Sequence, residues 1–356
     1  MEKIISGIQQ VGIGIPNVHD AFKWYRQNLG MDVPIFEEAA DAELMLPYTG
    51  GEPRSRHAIL AVNLQGGGGF EIWQYTSRTP ELADFQIQLG DLGIYVARMK
   101  CLDVDAAHKQ FTDKGLKVLG PVHTDPSGSK HFFLEDPYGN IFQIIEGDNW
   151  FTSGPHLTGG PEGVMIGVSD IDKAREVYSD ILGYDTVLYD ETDTFEDLKA
   201  LPGGEGQFRR VLLTHSKPRQ GGFSRIFGPS RIELVVAQDR TPRKMFENRF
   251  WGDRGYIHLC FDIIGMDALR DECAAKGYAF TVDSAKALGG DFDMGEAAGS
   301  FSYIEDADGT LIEFVETYKV PLLKKLGWYL DMKKRDPKKP LPDWMLKALR
   351  FNRVKD

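Results

Sequence analysis

Three ionisable residues sit inside short, largely apolar runs: Glu71 in FEIWQY (70–75), His258 in YIHLCF (256–261) and Glu313 in TLIEFVE (310–316). Such runs read as strands, whose side chains alternate between two faces, so Glu313 shares its face with Leu311 and Val315. A carboxylate on an inward strand face is costly unless a cation or a metal ion answers it. These residue types therefore offer divalent-metal chemistry, with oxygen and imidazole donors for an ion and a carboxylate able to move a proton. Singly, each has a plainer reading. A lone strand histidine is more often a core or interface residue, Glu71 could be an exposed edge residue, and a Glu beside a turn often points to solvent.

Other candidates are weaker. His123 and His131 flank the turn DPSGSKH and read as loop residues at a pocket rim, while His19, His57, His108, His156 and His215 show no ligand spacing such as a helical i, i+4 pair. The GGGG run at 66–69 precedes a strand with no Lys-Ser/Thr after it, so it reads as a tight hairpin connection leading to Glu71, not a phosphate loop. Cys101, Cys260 and Cys273 are too few and scattered for a disulfide framework or thiolate cluster, and read as small buried hydrophobes.

Bulk properties narrow the class. The net charge of −12 argues against nucleic acid as a partner. No run approaches the roughly 20 apolar residues of a membrane span, and the N-terminus lacks a secretory pattern, so a cytoplasmic location is expected. Charge is uneven: residues 319–356 carry a net +8 and the remainder −20. This basic tail, with Leu322, Leu323, Leu326, Trp328 and Tyr329, could be read as a membrane-surface helix. Pro337, Pro340 and Pro342 break such a helix, and the preferred expectation is a tail folded onto its own acidic body or a second subunit.

The elements that must position these residues emerge from a repeat. Residues 10–30, QVGIGIPNVHDAFKWYRQNLG, match 163–183, GVMIGVSDIDKAREVYSDILG, at a constant offset that pairs Asn17 with Asp170 and Tyr25 with Tyr178. Each copy is a strand, an Asn or Asp helix cap, an amphipathic helix and a terminal Gly. DPYGNIFQIIE (136–146) matches DADGTLIEFVE (306–316), and further strand–helix units begin at 92–115 and 256–277, both ending in Lys-Gly. Each half is strand, helix, several strands, and then the same again. The Gly/Pro-rich stretch 152–161 reads as a linker, giving a first module over 1–151, a second over 162–318 and a tail over 319–356.

This pattern resembles the vicinal oxygen chelate superfamily, which includes glyoxalase I, methylmalonyl-CoA epimerase, extradiol and hydroxyphenylpyruvate dioxygenases and bleomycin-resistance proteins. The resemblance covers about residues 8–317 and implies an α+β fold: two tandem modules, each of paired βαβββ units that curl a mixed sheet into a cup. It implies metal ligands on the first, fourth, fifth and eighth strands of a module. In the first module those positions fall on Gln10, Glu71, Gly93 and Gln143; in the second on Gly163, Glu233, His258 and Glu313. Neither set is complete. The glyoxalase branch of the family pairs the front of one module with the rear of the other, which gives Gln10, Glu71, His258 and Glu313. The reciprocal set, Gly163, Glu233, Gly93 and Gln143, retains one strong ligand.

The resemblance implies one divalent metal ion, zinc first, with nickel, cobalt, manganese or iron as substitutes. It also implies a small-molecule substrate with vicinal oxygens, in a monomer or homodimer. The expected activity is that of a metal-dependent lyase or isomerase of glyoxalase or epimerase type. Glu313 is the expected base that removes a proton next to a carbonyl, Glu71 its partner on the opposite side, and Gln10 and His258 hold the ion. A ferrous dioxygenase is the alternative, weakened because it needs two His and one Glu from a single module and position 163 is Gly. A protein that sequesters a flat ring without catalysis is the third reading, with Trp73, Trp150, Phe151, Phe250 and Trp251 as candidate liners. The insert from Tyr189 to Pro229 is expected to enlarge a pocket wall, and the loop 289–299 to serve as a lid.

Overall fold

The computed structural model describes residues 2–288, 292–293, 298–323 and 328–355. The first repeat contributes β1 (Ile4–Gly14), β2 (Val33–Asp41), β3 (Ser55–Val62), β4 (Gly69–Tyr75), β5 (Gly93–Cys101), β6 (Lys117–Thr124), β7 (Lys130–Glu135) and β8 (Ile141–Glu146). The second contributes β9 (Thr158–Gly167), β10 (Thr186–Asp193), β11 (Phe208–Thr214), β12 (Arg231–Ala237), β13 (Gly255–Ile264), β14 (Val282–Asp283), β15 (Phe292–Asp293), β16 (Ala298–Glu305) and β17 (Leu311–Leu323), with β18 (Trp328–Asp331) following. The helices are α1 (Val18–Leu29), α2 (Val104–Asp113), α3 (Ile171–Tyr178), α4 (Ser224–Phe227), α5 (Met266–Ala275), α6 (Ser284–Leu288) and α7 (Asp343–Lys347). Strand β9 begins inside the stretch read as a linker.

The strands form two sheets, and each sheet draws strands from both repeats. One runs β14-β16-β17-β13-β1-β4-β3-β2, with β15 on β16 and β18 on β17; the other runs β10-β11-β12-β9-β5-β8-β7-β6. In both, a central antiparallel pair (β1 with β13, β5 with β9) is flanked by parallel neighbours. The front of the first repeat thus shares a sheet with the rear of the second. This is the fused, exchanged pairing, an α+β architecture of two curled mixed sheets.

Local sequence explains the helices. Asn17 accepts from the backbone N–H of His19 and Asp20 at 3.1 Å, and Gly30, at φ 69°, closes α1 in the left-handed conformation. Val18, Ala21, Phe22, Tyr25 and Leu29 recur at helical spacing and are buried. Asp170 caps α3 in the same manner. The Lys-Gly pairs end α2 and α5 as expected, with Gly115 at φ 73° and Gly277 at φ 88°.

The repeated Tyr and Asp landmarks meet in space. Tyr25 donates to Asp136 at 2.6 Å and Tyr178 to Asp306 at 2.8 Å. Each Asp also accepts two backbone N–H groups of its own turn, at 2.8–3.0 Å. Each pair ties the helix that follows the first strand of a repeat to the turn before its last strand. Because those strands lie in different sheets, the bonds lock one sheet against the other. The largest hydrophobic cluster is likewise shared, drawing on both sheets and on α1, α2, α3 and α5.

The tail folds back. Leu341 and Leu346 are buried with Val33, Val62, Ile226 and Phe227, and Asp343 accepts from Arg225 at 3.1 Å. After Pro342 the chain makes the five-residue α7 and then a five-residue 3-10 helix, Ala348–Asn352. Leu326 of the tail, and residues 289–291 and 294–297 of the expected lid, lie outside the described residues. Among the described residues no helix is long and apolar enough to cross a membrane.

Candidate metal centre

Register brings the four expected ligands together. Gly12 of β1 pairs with Glu71 of β4 on one side and with His258 of β13 on the other. Two residues along the same face, Gln10 pairs with Cys260, which pairs with Glu313 of β17. The result is a compact group on the inner face of the first sheet. His258 Nε2 lies 3.3 Å from Glu71 Oε2 and 3.2 Å from Glu313 Oε2. The Gln10 amide donates to the same two carboxylate oxygens at 3.3 and 3.4 Å. One ligand atom from each of Glu71, His258 and Glu313 falls within a 4.8 Å cluster.

The electrostatics call for a cation. Burial and the neighbouring Glu71 charge push the Glu313 carboxyl up, against the pull of His258. Burial disfavours the His258 imidazolium, but Glu313 and Glu71 outweigh it and hold the ring above its ordinary value. Both groups therefore take up protons more readily than exposed ones would. Gln10 Oε1 is buried with no hydrogen-bond partner among the described residues, and the buried His258 Nε2 faces the two carboxylate oxygens. The amide presents its NH2 to the acids; half a turn would bring its oxygen in, which two carboxylates tolerate only around a positive charge. The residues fit a divalent ion.

Around them the chain supplies orientation. The Tyr303 hydroxyl lies 3.4 Å from His258 Nδ1, and the Trp251 indole stacks on the imidazole at 6.3 Å and 18°. With Nε2 free for an ion, Nδ1–H donates to the Tyr303 oxygen and holds the ring's orientation. Gly12 is the residue that permits the convergence: a Cβ there would lie 2.6 Å from His258 Cε1 and Nε2. Gly12→Ala is expected to push the imidazole off its position and weaken metal binding at least tenfold, at a stability cost of about 1–3 kcal/mol. Metal titration read beside thermal unfolding checks this. Unchanged affinity would show that the ring has room to move.

The group opens into a cavity of about 250 Å³ lined by Gln10, Glu71, Glu313, Tyr303, Trp73 and Trp251 among others. Of the five aromatics read as candidate liners, Trp73 and Trp251 belong to it; Trp150, Phe151 and Phe250 do not. The 189–229 insert contributes nothing to this wall: part of it forms β10 and β11, and Ile226 and Phe227 pack beneath the tail.

The mirror position in the second sheet corrects the sequence reading at one residue. Strand pairing aligns Val96, not Gly93, with His258, since Val96 pairs with Met165 as His258 pairs with Gly12. Gly93 aligns with Gly255 at the strand start. The reciprocal set is thus Gly163, Glu233, Val96 and Gln143. At Gly163 a Cβ would lie 1.7 Å from the Arg231 carbonyl oxygen, so the backbone there leaves no room for a ligand side chain.

Two guanidinium groups occupy this second cup. Arg98 stands where the first cup has Cys260, and Arg210 where it has Ala58. Arg98 Nη1 and Arg210 Nε each reach Glu233 at 2.7 Å, and the Tyr189 hydroxyl donates to Glu233 at 2.7 Å. Arg98, Arg210 and Glu233 are all fully buried. Fixed protein cations answer the one carboxylate that the pattern retained. His131, read as a loop residue, is a buried β7 residue 3.2 Å from Asp197 in this same network. The sequence held a signal for it: two arginines, Arg98 and Arg210, inside apolar strand runs.

A second, exposed group escaped the spacing argument because its members come from separate elements. His57 Nε2 lies 3.0 Å and His19 Nε2 3.9 Å from Glu37 Oε1. Glu37 is the alternate-face neighbour of the cavity-lining Phe36 and Glu38, so this group sits outside the cup. Cys101, Cys260 and Cys273 are free and buried, as expected.

Comparison with known proteins agrees with this architecture. The sequence profile of the Glyoxalase/Bleomycin resistance protein/Dioxygenase superfamily matches twice, over residues 7–144 and 160–314. Glyoxalase I from Zea mays has a similar fold, with a TM-score of 0.51 and 13% identity over 88% of this chain and 92% of that one. A protein of Bacillus subtilis subsp. subtilis str. 168, provisionally named a dioxygenase, gives a TM-score of 0.56 and 14% identity over 99% and 97% of the two chains. No curated protein sequence matches significantly. With the family profile covering both repeats and the folds agreeing end to end, the chain belongs to the glyoxalase/bleomycin resistance protein/dioxygenase superfamily.

Proposed function

We propose that this protein is a metal-dependent lyase or isomerase that removes a proton next to a substrate carbonyl. Gln10, Glu71, His258 and Glu313 hold one divalent ion, zinc first among the candidates. The observation that carries the reading is the meeting of these four residues, drawn from both repeats, at the one cup that is not plugged by arginine. When bound, the ion supplies Lewis-acid stabilisation of negative charge at the substrate's carbonyl oxygen. The chain's residues do the rest. Glu313, whose burial beside Glu71 raises its basicity, accepts the proton from carbon, and Glu71 faces it from the opposite strand as the partner acid or base. Tyr303 and Trp251 hold His258 in place, and the apolar walls keep water from competing.

The donor set favours this chemistry over a ferrous dioxygenase. It contains one histidine, and position 163 has no room for another.

Metal content decides the reading. Protein purified without chelator is expected to hold one equivalent of divalent metal, and His258→Ala none. Because His258 and Glu313 both take up protons more readily than exposed groups would, an ion competes with protons there, and its affinity should rise with pH. Stability of the metal-free protein should run the other way. Both groups sit above their ordinary values, so their contribution is complete at low pH and is lost as pH rises through the folded-state values. Equal metal content in wild type and His258→Ala would overturn the assignment.

A further inference from the structure

We infer, resting on that metal-centre reading, that the substrate is an uncharged aromatic compound with two adjacent oxygens, taken without an anionic carrier. The cup's walls and its charge carry the inference. Trp73 and Trp251 meet edge to face with centroids 4.6 Å apart, and Tyr303, Phe36 and Phe301 complete an aromatic lining. Edge and face contacts of this kind suit a flat ring. The cavity, about 250 Å³, is below the usual range for drug-sized ligands of roughly 300–1,000 Å³, so it fits a one- or two-ring molecule.

Charge at the mouth sets the second half. Glu38, Asp41 and Glu43 line the cavity outside the metal group, against a single described cation, Arg56. Arg56 is already held: its Nη2 lies 2.5 Å from Glu38 Oε2, and its Nη1 donates to the Glu38 carbonyl at 3.0 Å. With Glu71 and Glu313 deeper in, a divalent ion would neutralise the two inner carboxylates and leave the rim acidic. A carboxylate or phosphate on the substrate, or on a thiol or nucleotide carrier, would enter a field of its own sign and find no free guanidinium to pair with. Neutral rings meet no such barrier. Discrimination here works by unfavourable charge as much as by fit.

The test uses zinc-loaded protein and three probes: 2-hydroxy-1-phenylethanone, its ring-carboxylated analogue, and the glutathione hemithioacetal of phenylglyoxal. Binding is followed by quenching of tryptophan fluorescence, and proton abstraction by deuterium uptake next to the carbonyl. The neutral probe is expected to bind at least tenfold more tightly than either anionic one. Glu38→Gln, which removes the carboxylate charge that neutralises Arg56, should raise affinity for the carboxylated probe at least tenfold relative to the neutral one. Anionic probes that bind as well as the neutral probe, or a Glu38→Gln variant that leaves the ratio unchanged, would overturn the substrate class. So would a zinc-loaded protein that binds none of the three. Failure of the underlying reading looks different: the protein would take up no zinc, and quenching would follow ring size and charge in the metal-free cup without deuterium uptake.

Discussion

Glu313→Gln is expected to lower turnover about 10²–10⁴-fold, the range typical of a lost general base, while the protein stays folded. The amide keeps the shape of the carboxylate but cannot accept the proton. Glu313 is 7% exposed and shares its space with Glu71 and His258, so the substitution also removes one of two like charges from a buried group. In the metal-free state the variant should therefore unfold at the same temperature as wild type or above it. Deuterium uptake at the substrate carbon, measured beside thermal unfolding, checks both parts. Full exchange activity in Glu313→Gln would assign the base to another residue. Loss of activity with loss of fold would mean that Glu313 serves the structure instead.

The other large effect is expected far from the metal group. Glu233→Ala should destabilise the protein by about 3–5 kcal/mol, the usual cost of leaving buried charge without its partner. Glu233 is the carboxylate shared by Arg98 and Arg210 at 2.7 Å each, and none of the three reaches solvent. Arg98 would keep Glu162, at 3.5 Å, and Arg210 would keep Asp197, at 2.9 Å, which holds the effect short of complete unfolding. Chemical denaturation measures it. Metal content per folded molecule should be unchanged, because the plugged cup holds no ion. A loss below about 1 kcal/mol would mean that water replaces the missing carboxylate, and a loss of bound metal would place an ion at the wrong cup.

These two glutamates show how far sequence reasoning reached. Glu233 and Glu71 occupy matching strands in similar apolar runs, FEIWQY and RIELVV, and nothing local separates them. The repeat made both visible as matched positions. What distinguishes them is the company they keep across the sheet: Ala58 and Cys260 beside one cup, Arg210 and Arg98 beside the other. Those neighbours are contributed by other strands, one of them from the other repeat. The Gly93 assignment lies three residues from the aligned Val96: the Lys-Gly helix ends at 114–115 and 276–277 share the offset that pairs Val96 with His258, and strand pairing fixes that same register, with bulges at matching places in the two central strand pairs. Gly12 escaped notice for a related reason, since an unremarkable GIGI strand becomes special only when His258 lies against it.

The sequence by itself determined the elements and their duplication: capped amphipathic helices, apolar strands, and matching Asp turns. These follow from local periodicity and hydrogen-bonding groups, which each segment carries with it. Tertiary structure decided which half of one repeat lies against which half of the other, and therefore which carboxylates face a histidine and which face guanidinium groups. That choice belongs to the antiparallel pairing of β1 with β13 and β5 with β9, where contacts between residues far apart in the sequence set both register and charge.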